Sequence, residues 1–309
     1  MGKYVIRRLL QMIPVVLGTT FIIYAMVFAL PGDPTAGKCG DRGCPPAVVA
    51  EIREQYNLDD PVPVAYVKYL GKLATGDLGE NTYGIPVTQD LAQRYAITGK
   101  LALMAIAIEA VIGILAGVLA AIRKGSFLDS LILVSTLVVI SVPVFVIGVL
   151  AQFYFGVRLG WFPVTVTSRN PSMYQLLMPA IVLASLSMAY VTRLTRTNLA
   201  ENLRADYVRT AKAKGLTQRR AIGLHALRNS MIPVVTFMGY DFGALLGGAI
   251  VTERIFNIQG IGGYIFQSIN HRDGFAVVGA VTALVIVYLI VNLVVDLLYG
   301  VLDPRISHD

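Results

Sequence analysis

The chain has 309 residues, of which 55% are hydrophobic and 15% charged, with a mean hydropathy of +0.65 and a net charge of +7. Soluble domains carry about 25% charged residues, so this deficit, gathered into long apolar runs, excludes a soluble globular class. The basic surplus lies between apolar runs with no recognition module, which argues for membrane orientation and against a nucleic-acid partner.

Residues 1–8 are basic through Lys3, Arg7 and Arg8. The apolar run behind them, 9–30, is too long for a signal-peptide core and has no small-residue cleavage site before Pro31. It reads as a first transmembrane helix that is retained. The loop 31–97 follows. It holds the two cysteines, Cys39 and Cys44, in CGDRGCPP. A disulfide framework needs more cysteines and a zinc site more ligands, so no metal is expected. A small disulfide-closed loop and two free thiols both remain open. Helical patterns at 47–56 and 62–73, with Val64, Val67, Leu70 and Leu73 in helical register, are punctuated afterwards by Gly76, Gly79, Gly84 and Pro86. This loop is expected to fold as a small cap.

Crossing the hydrocarbon takes about 20 apolar residues. Such segments occur at 9–30, 99–122, 131–155, 174–191, 231–251 and 275–302, which predicts an all-α integral membrane protein with about six transmembrane helices. The fourth, with Pro179, Ser185 and Ser187, is expected inside the bundle rather than against lipid. Pro14, Pro143 and Pro179 predict local kinks. The acidic residues Glu109, Asp241 and Asp296 fall within apolar spans, where a charge costs about 2.5–3.5 kcal/mol. Asp241 and Glu109 are therefore candidates for a translocation pathway, and a polar contact with a partner subunit is the competing reading for Asp241. Asp296 is expected to cap or pair locally. Gly239, Gly243, Gly247 and Gly248 give the fifth span a face of small residues suited to close helix packing.

Short loops fix the orientation. The segment 193–230 carries Arg193, Arg196, Arg204, Arg209, Lys212, Lys214, Arg219, Arg220 and Arg228, whereas the last loop on the opposite side, 253–274, carries Arg254 and Arg272. The positive-inside rule then places both termini in the cytoplasm, including the tail 303–309, and the cap outside. An enzyme is not expected. No phosphate-binding glycine loop occurs, since Gly99-Lys100 is followed by leucine. The histidines His225, His271 and His308 show no metal spacing, and no cofactor is implied.

Within the basic loop, 203–215 reads LRADYVRTAKAKG. Ala205, Val208 and Ala211 line one side with Tyr207 adjacent, the basic residues occupy much of the rest, and Gly215 stops the helix. Taken alone, this is an amphipathic helix that would rest on anionic lipid. The segment also resembles the cytoplasmic loop of ABC importer permeases, whose pattern of Glu-Ala-Ala, three residues and Gly falls on Arg209, Thr210, Ala211, then Lys212, Ala213, Lys214, then Gly215. DYVRTAKAKGL followed by HALRNSMIPVV is similar to the peptide-type branch of that family, which departs from the general pattern at the glutamate in the same way. LPGDP at 30–34, NLDDPVPVAYVKYLGKLATGDLG at 57–79, ERIFNIQGIGGYIFQSINHRD at 253–273 and DPRI at 303–306 resemble the dipeptide and oligopeptide permeases as well.

The resemblance implies a type I importer permease fold in the bacterial cytoplasmic membrane, with the core of the transmembrane domain at 98–302. It implies a second permease subunit, two ABC ATPase domains, an extracytoplasmic substrate-binding protein and a short-peptide substrate, with nickel or another metal chelate, glutathione or haem as alternatives within the family. The helix of Ala205, Asp206, Tyr207, Val208, Arg209, Thr210, Ala211, Lys212, Ala213 and Lys214, ended by Gly215, would then couple to the ATPase. Ala205, Val208 and Ala211 would dock, Tyr207 would anchor, and Arg209, Lys212 and Lys214 would form a polar rim. A secondary transporter would hold its own ion site in two inverted halves, and no such halves are found.

Overall fold

The computed structural model describes residues 2–29, 35–39 and 43–302, and among them every regular element is a helix. The expectations at 30–34, at 40–42 between the cysteines and at 303–309 lie outside the described residues. In chain order the helices are α1 (Gly2–Phe28), α2 (Ala36–Cys39), α3 (Pro46–Gln55), α4 (Val62–Ala74) and α5 (Val87–Ile108). A π-helical turn, Glu109–Gly113, carries α5 into α6 (Ile114–Ile122). Next come α7 (Phe127–Ser141), α8 (Val144–Ala151) with the π-helical end Gln152–Arg158, and α9 (Met173–Asn202). Then follow α10 (Asp206–Ala213), α11 (Gln218–Arg220), the π-helical Ala221–Leu227, α12 (Arg228–Ile255), α13 (Ile261–Asn270) and α14 (Gly274–Leu302).

Among the described residues, five helical runs are long and apolar enough to cross a membrane, and a sixth if the bent pair α7 and α8 is one span. Several limits differ from expectation: α9 runs on to Asn202 rather than ending near 191, and the helical run of the fifth span begins at Gln218 rather than near 231. The second span begins at Val87 rather than near residue 99, giving one helical run of 36 residues. Polar Gln89, Asp90, Gln93 and Arg94 hid its first turns from a hydropathy reading. The third span does not merely kink at Pro143; its halves are inclined by 103°. Pro143 has no N–H to give the preceding turn and holds Val142 in an extended conformation, so the helix stops and restarts. Pro14, Pro179 and Pro233 sit within continuous helices.

Contacts divide the chain into two units, Met1–Thr98 with Asn257–Asp309, and Gly99–Phe256. In the first, α1 packs along α14 and α4 along α1. Tyr24, Ala65, Tyr66 and Val278 form the buried core. The Tyr66 hydroxyl donates to the Leu17 carbonyl at 2.8 Å and lies 2.8 Å from Thr20 Oγ1. Tyr69 donates to Thr282 Oγ1 at 2.9 Å, and burial pushes its phenol up to about 12, so the donor stays protonated. Arg8 reaches Asp296 at 3.2 Å and neutralises an acid that is only 6% exposed. That partner comes from the far end of the sequence and not from the neighbouring turn.

Cys39 and Cys44 are joined by a disulfide. Beside it Lys38 donates to the Tyr56 hydroxyl at 2.9 Å, with its ammonium 4.6 Å from the centre of the Tyr56 ring. A Cβ on Gly37 would sit 2.4 Å from the Arg272 carbonyl oxygen, so only glycine fits there. The segment 253–274, expected as a loop, contains α13. Its Ile261 N–H donates to Thr98 Oγ1 at 3.0 Å.

Asp273 ends that segment and caps α14. It accepts from the Thr82 N–H at 2.6 Å, from Thr82 Oγ1 at 2.5 Å and from the Ala276 N–H at 3.0 Å. Bonds to a charged acceptor contribute about 1.5–3 kcal/mol each relative to leaving the donors unpaired. Asp273→Ala is expected to lower the melting temperature of the detergent-purified subunit and to expose the 80–86 turn to protease, with Asp273→Asn intermediate. An unchanged melt in both variants would remove this role.

In the second unit α9 is the axis, packed by α6, α7, α8 and α12. It is the most buried of the candidate spans, with 67% of its apolar window inside, as its serines led us to expect. Its start is fixed by a capping box in which Ser172 accepts from the Gln175 N–H and Gln175 accepts from the Ser172 N–H. On α6 and the π turn before it, Gly117 and Gly113 face α9. A Cβ on Gly117 would lie 2.6 Å from the Thr192 carbonyl oxygen.

Candidate functional site

The basic loop forms α10, which begins after extended Ala205 and ends in a Schellman motif. Gly215 donates to the Lys212 carbonyl at 2.9 Å and Leu216 to the Ala211 carbonyl at 3.2 Å. This geometry puts Gly215 at φ +91°, which only glycine adopts without strain. The helix is held to its own chain by a polar chain of contacts as well. Tyr207 donates to Asn202 Oδ1 at 2.5 Å, and Asn202 Nδ2 donates to Ser230 Oγ at 3.0 Å.

The apolar side of α10 is not free. Val208 is fully buried in a cluster with Ala121, Leu199, Ala200, Ala221 and Ala226, and Ala211 is also buried. The sequence-based assignment of Val208 and Ala211 to docking is corrected accordingly: small apolar residues at helical spacing here mark the face turned to the protein's own interior. The outward face consists of Asp206, Tyr207, Arg209, Thr210, Lys212, Ala213 and Lys214, and Ala205 is half-buried. Arg209 and Asp206 approach to 3.8 Å across open surface, an ion pair that contributes little.

The cluster around Val208 joins three parts of the chain: the end of α6, the last turns of α9 and the π-helical stretch that runs into α12. A second tie lies close in sequence. Asp129, 3% exposed, binds Arg196 in a two-pronged pair, Nε to Oδ1 at 3.0 Å and Nη2 to Oδ2 at 2.8 Å, and accepts from the Gly125 N–H at 2.9 Å. It joins the first turn of α7 to α9. Sequence reasoning counted Arg196 only as a marker of orientation and passed over Asp129. The sole signal was the cap Ser126 three residues earlier, which accepts from the Asp129 N–H.

The two acids singled out inside the spans are brought together. Glu109 lies in the π-helical turn and is fully buried, and its carboxyl faces that of Asp241 on α12. Ser187 on α9 stands beside Asp241. Neither Glu109 oxygen nor Asp241 Oδ2 has a hydrogen-bond partner. Asp241 is half-buried. Among the described residues no group of three or more His, Cys, Asp or Glu is placed to hold a metal.

Comparison with known proteins agrees along the whole chain. Residues 113–308 match the family model "Binding-protein-dependent transport system inner membrane component", and residues 1–86 match the model of the N-terminal part of such membrane components. The chain is 36% identical over 334 aligned residues to the dipeptide transport system permease protein DppB of Alkalihalophilus pseudofirmus, covering all of both proteins. It is also 36% identical to the di/tripeptide transport system permease protein DppB of Pseudomonas aeruginosa and to the dipeptide transport system permease protein DppB of Escherichia coli, covering all of this chain and 99% of each relative. With its apolar helices and these full-length matches, the chain belongs to the family of binding-protein-dependent transport system inner membrane components, as a multi-pass permease subunit.

Proposed function

We propose that this chain is one of two paired permeases in an ATP-driven importer of short peptides, and that α10 is the element its ATPase grips. The observation that carries this reading is the seating of α10: Val208 locks it to the end of α9 and to the helix that becomes α12. A force applied to the exposed face of α10 therefore reaches two membrane spans through packed side chains rather than through a slack loop. Such coupling requires the ATPase to bind two arrangements of the bundle with different free energies. ATP hydrolysis belongs to separate subunits in this reading, and an external binding protein delivers the cargo. The basic surplus of the 193–230 loop supports an orientation with α10 and both termini in the cytoplasm. The full-length relatives named for dipeptides and tripeptides support a peptide cargo over metal chelates, glutathione or haem. Half-buried Asp241 is suited to meet a peptide ammonium at the pathway wall, whereas Glu109, closed off behind it, meets Asp241 and not the cargo.

The test uses the exposed face and the turn, leaving the buried anchor intact. Arg209→Glu combined with Lys212→Glu is expected to lower peptide uptake about tenfold, corresponding to about 1.4 kcal/mol of docking, while the subunit still inserts. Gly215→Val places a β-branched residue at positive φ, at a cost of about 1–3 kcal/mol, and is expected to uncouple ATP hydrolysis from uptake. Wild-type uptake by both variants in reconstituted vesicles would refute the assignment.

A further inference from the structure

The acids inside the second unit present an electrostatic problem that the transport reading does not solve. Glu109 has no exposed surface, and both its oxygens and Asp241 Oδ2 lack hydrogen-bond partners. The carboxyls face one another from the π turn and α12, and the hydroxyl of Ser187 on α9 stands beside Asp241. Among the described residues neither carboxyl forms an ion pair with a lysine, arginine or histidine. Around Glu109 the chain reads AIAIEAVIGIL, which offers no polar side chain within a turn on either side.

Two carboxylates in that place would each forgo several kcal/mol of hydration and repel one another as well. One proton removes both difficulties. The protonated carboxyl becomes a donor, the other carboxylate accepts, and an O–H···O⁻ bond is shorter and about twice as strong as a neutral one. Ser187 can donate to the remaining charge. A proton also needs no cavity and no open route wide enough for a hydrated ion, which suits a fully enclosed Glu109. The π-helical turn is consistent with a placed residue: a widened turn re-aims one side chain and is common at functional positions.

We propose that Glu109 and Asp241 share a single proton in a carboxyl–carboxylate hydrogen bond, which latches the second span to the fifth across α9. The pair carries one negative charge, not two. Its bond lies between spans that adjoin α10 through the Val208 cluster, so a rearrangement that parts α12 from the π turn must break it.

Infrared spectroscopy on the assembled transporter in lipid tests this directly. The wild type is expected to show the carbonyl stretch of a protonated carboxyl above the amide I region, downshifted in D2O. Glu109→Gln and Asp241→Asn are each expected to remove that band, and Ser187→Ala to shift it. Dicyclohexylcarbodiimide, which adds across a protonated carboxyl and not across a carboxylate, provides a measurement that needs no variant. Mass mapping at neutral pH is expected to find its adduct on Glu109 or Asp241. Absence of both band and adduct in the wild type would overturn the proposal. So would a band that appears only when sodium and potassium are withdrawn, since an alkali cation would then occupy the pair.

Discussion

Arg196→Ala is expected to destabilise the subunit by about 3–5 kcal/mol, because it strands the Asp129 carboxylate at 3% exposure with only the Gly125 N–H for company. The pair closes two bonds of 3.0 and 2.8 Å and joins α7 to α9 at one end of the bundle. Asp129→Ala is expected to cost somewhat less, since Arg196 keeps 20% of its side chain accessible and can turn toward water. Replacing both at once, Asp129→Leu with Arg196→Met, is expected to recover most of the loss, as apolar pairs of similar volume commonly do. Thermal unfolding of the purified subunit in detergent reads all three. A single variant no worse than the double would show that the pair is not buried in the working protein.

The second large effect concerns a contact with no side chain on one side. Gly117→Val would place carbon 2.6 Å from the Thr192 carbonyl oxygen and 2.6 Å from Thr195 Cβ. The carbonyl belongs to a helix backbone and cannot rotate away, so α6 must move off α9. Overpacking of this kind costs about 1–3 kcal/mol. The displacement would be passed to the Val208 cluster, because Ala121 belongs both to α6 and to that cluster. Loss of uptake together with a lower melting temperature is expected, and Gly117→Ala should be milder in both. Uptake that survives Gly117→Val at normal protein levels would mean that α6 and α9 are not in close contact during transport.

What was legible in the sequence follows from periodicity and hydropathy. The helices α3 and α4 lie within a residue or so of their expected limits, and in α4 Val64, Val67 and Leu70 mark a turn at every step. Gly215 was readable because a helix that must stop needs a residue free to take positive φ. Burial on α10 was not readable. Spacing shows that Val208 and Ala211 share a face, but not whether that face meets its own chain or another protein. Glu109 and Asp241 were each visible as acids in apolar runs, yet their encounter depends on how the π turn after α5 and α12 lie about α9, which one-dimensional patterning does not encode. Asp129 and Arg196, 67 residues apart, were hidden for the same reason. The sharp bend after Ser141 was underestimated because proline within a span usually gives only a kink, and Pro14 and Pro179 do no more than that here.

The unbroken run from Val87 to Ile122 bears on where this protein can live. Its 36 residues extend about 54 Å at 1.5 Å per residue, against a hydrocarbon layer of about 30 Å. Nearly half of it must stand clear of the lipid tails. The end that carries Gln89, Asp90 and Arg94 is suited to that. Thickening or thinning of the bilayer then changes only which turns are wetted, and hydrophobic mismatch at this helix can be absorbed by sliding its waterline rather than by straining the fold.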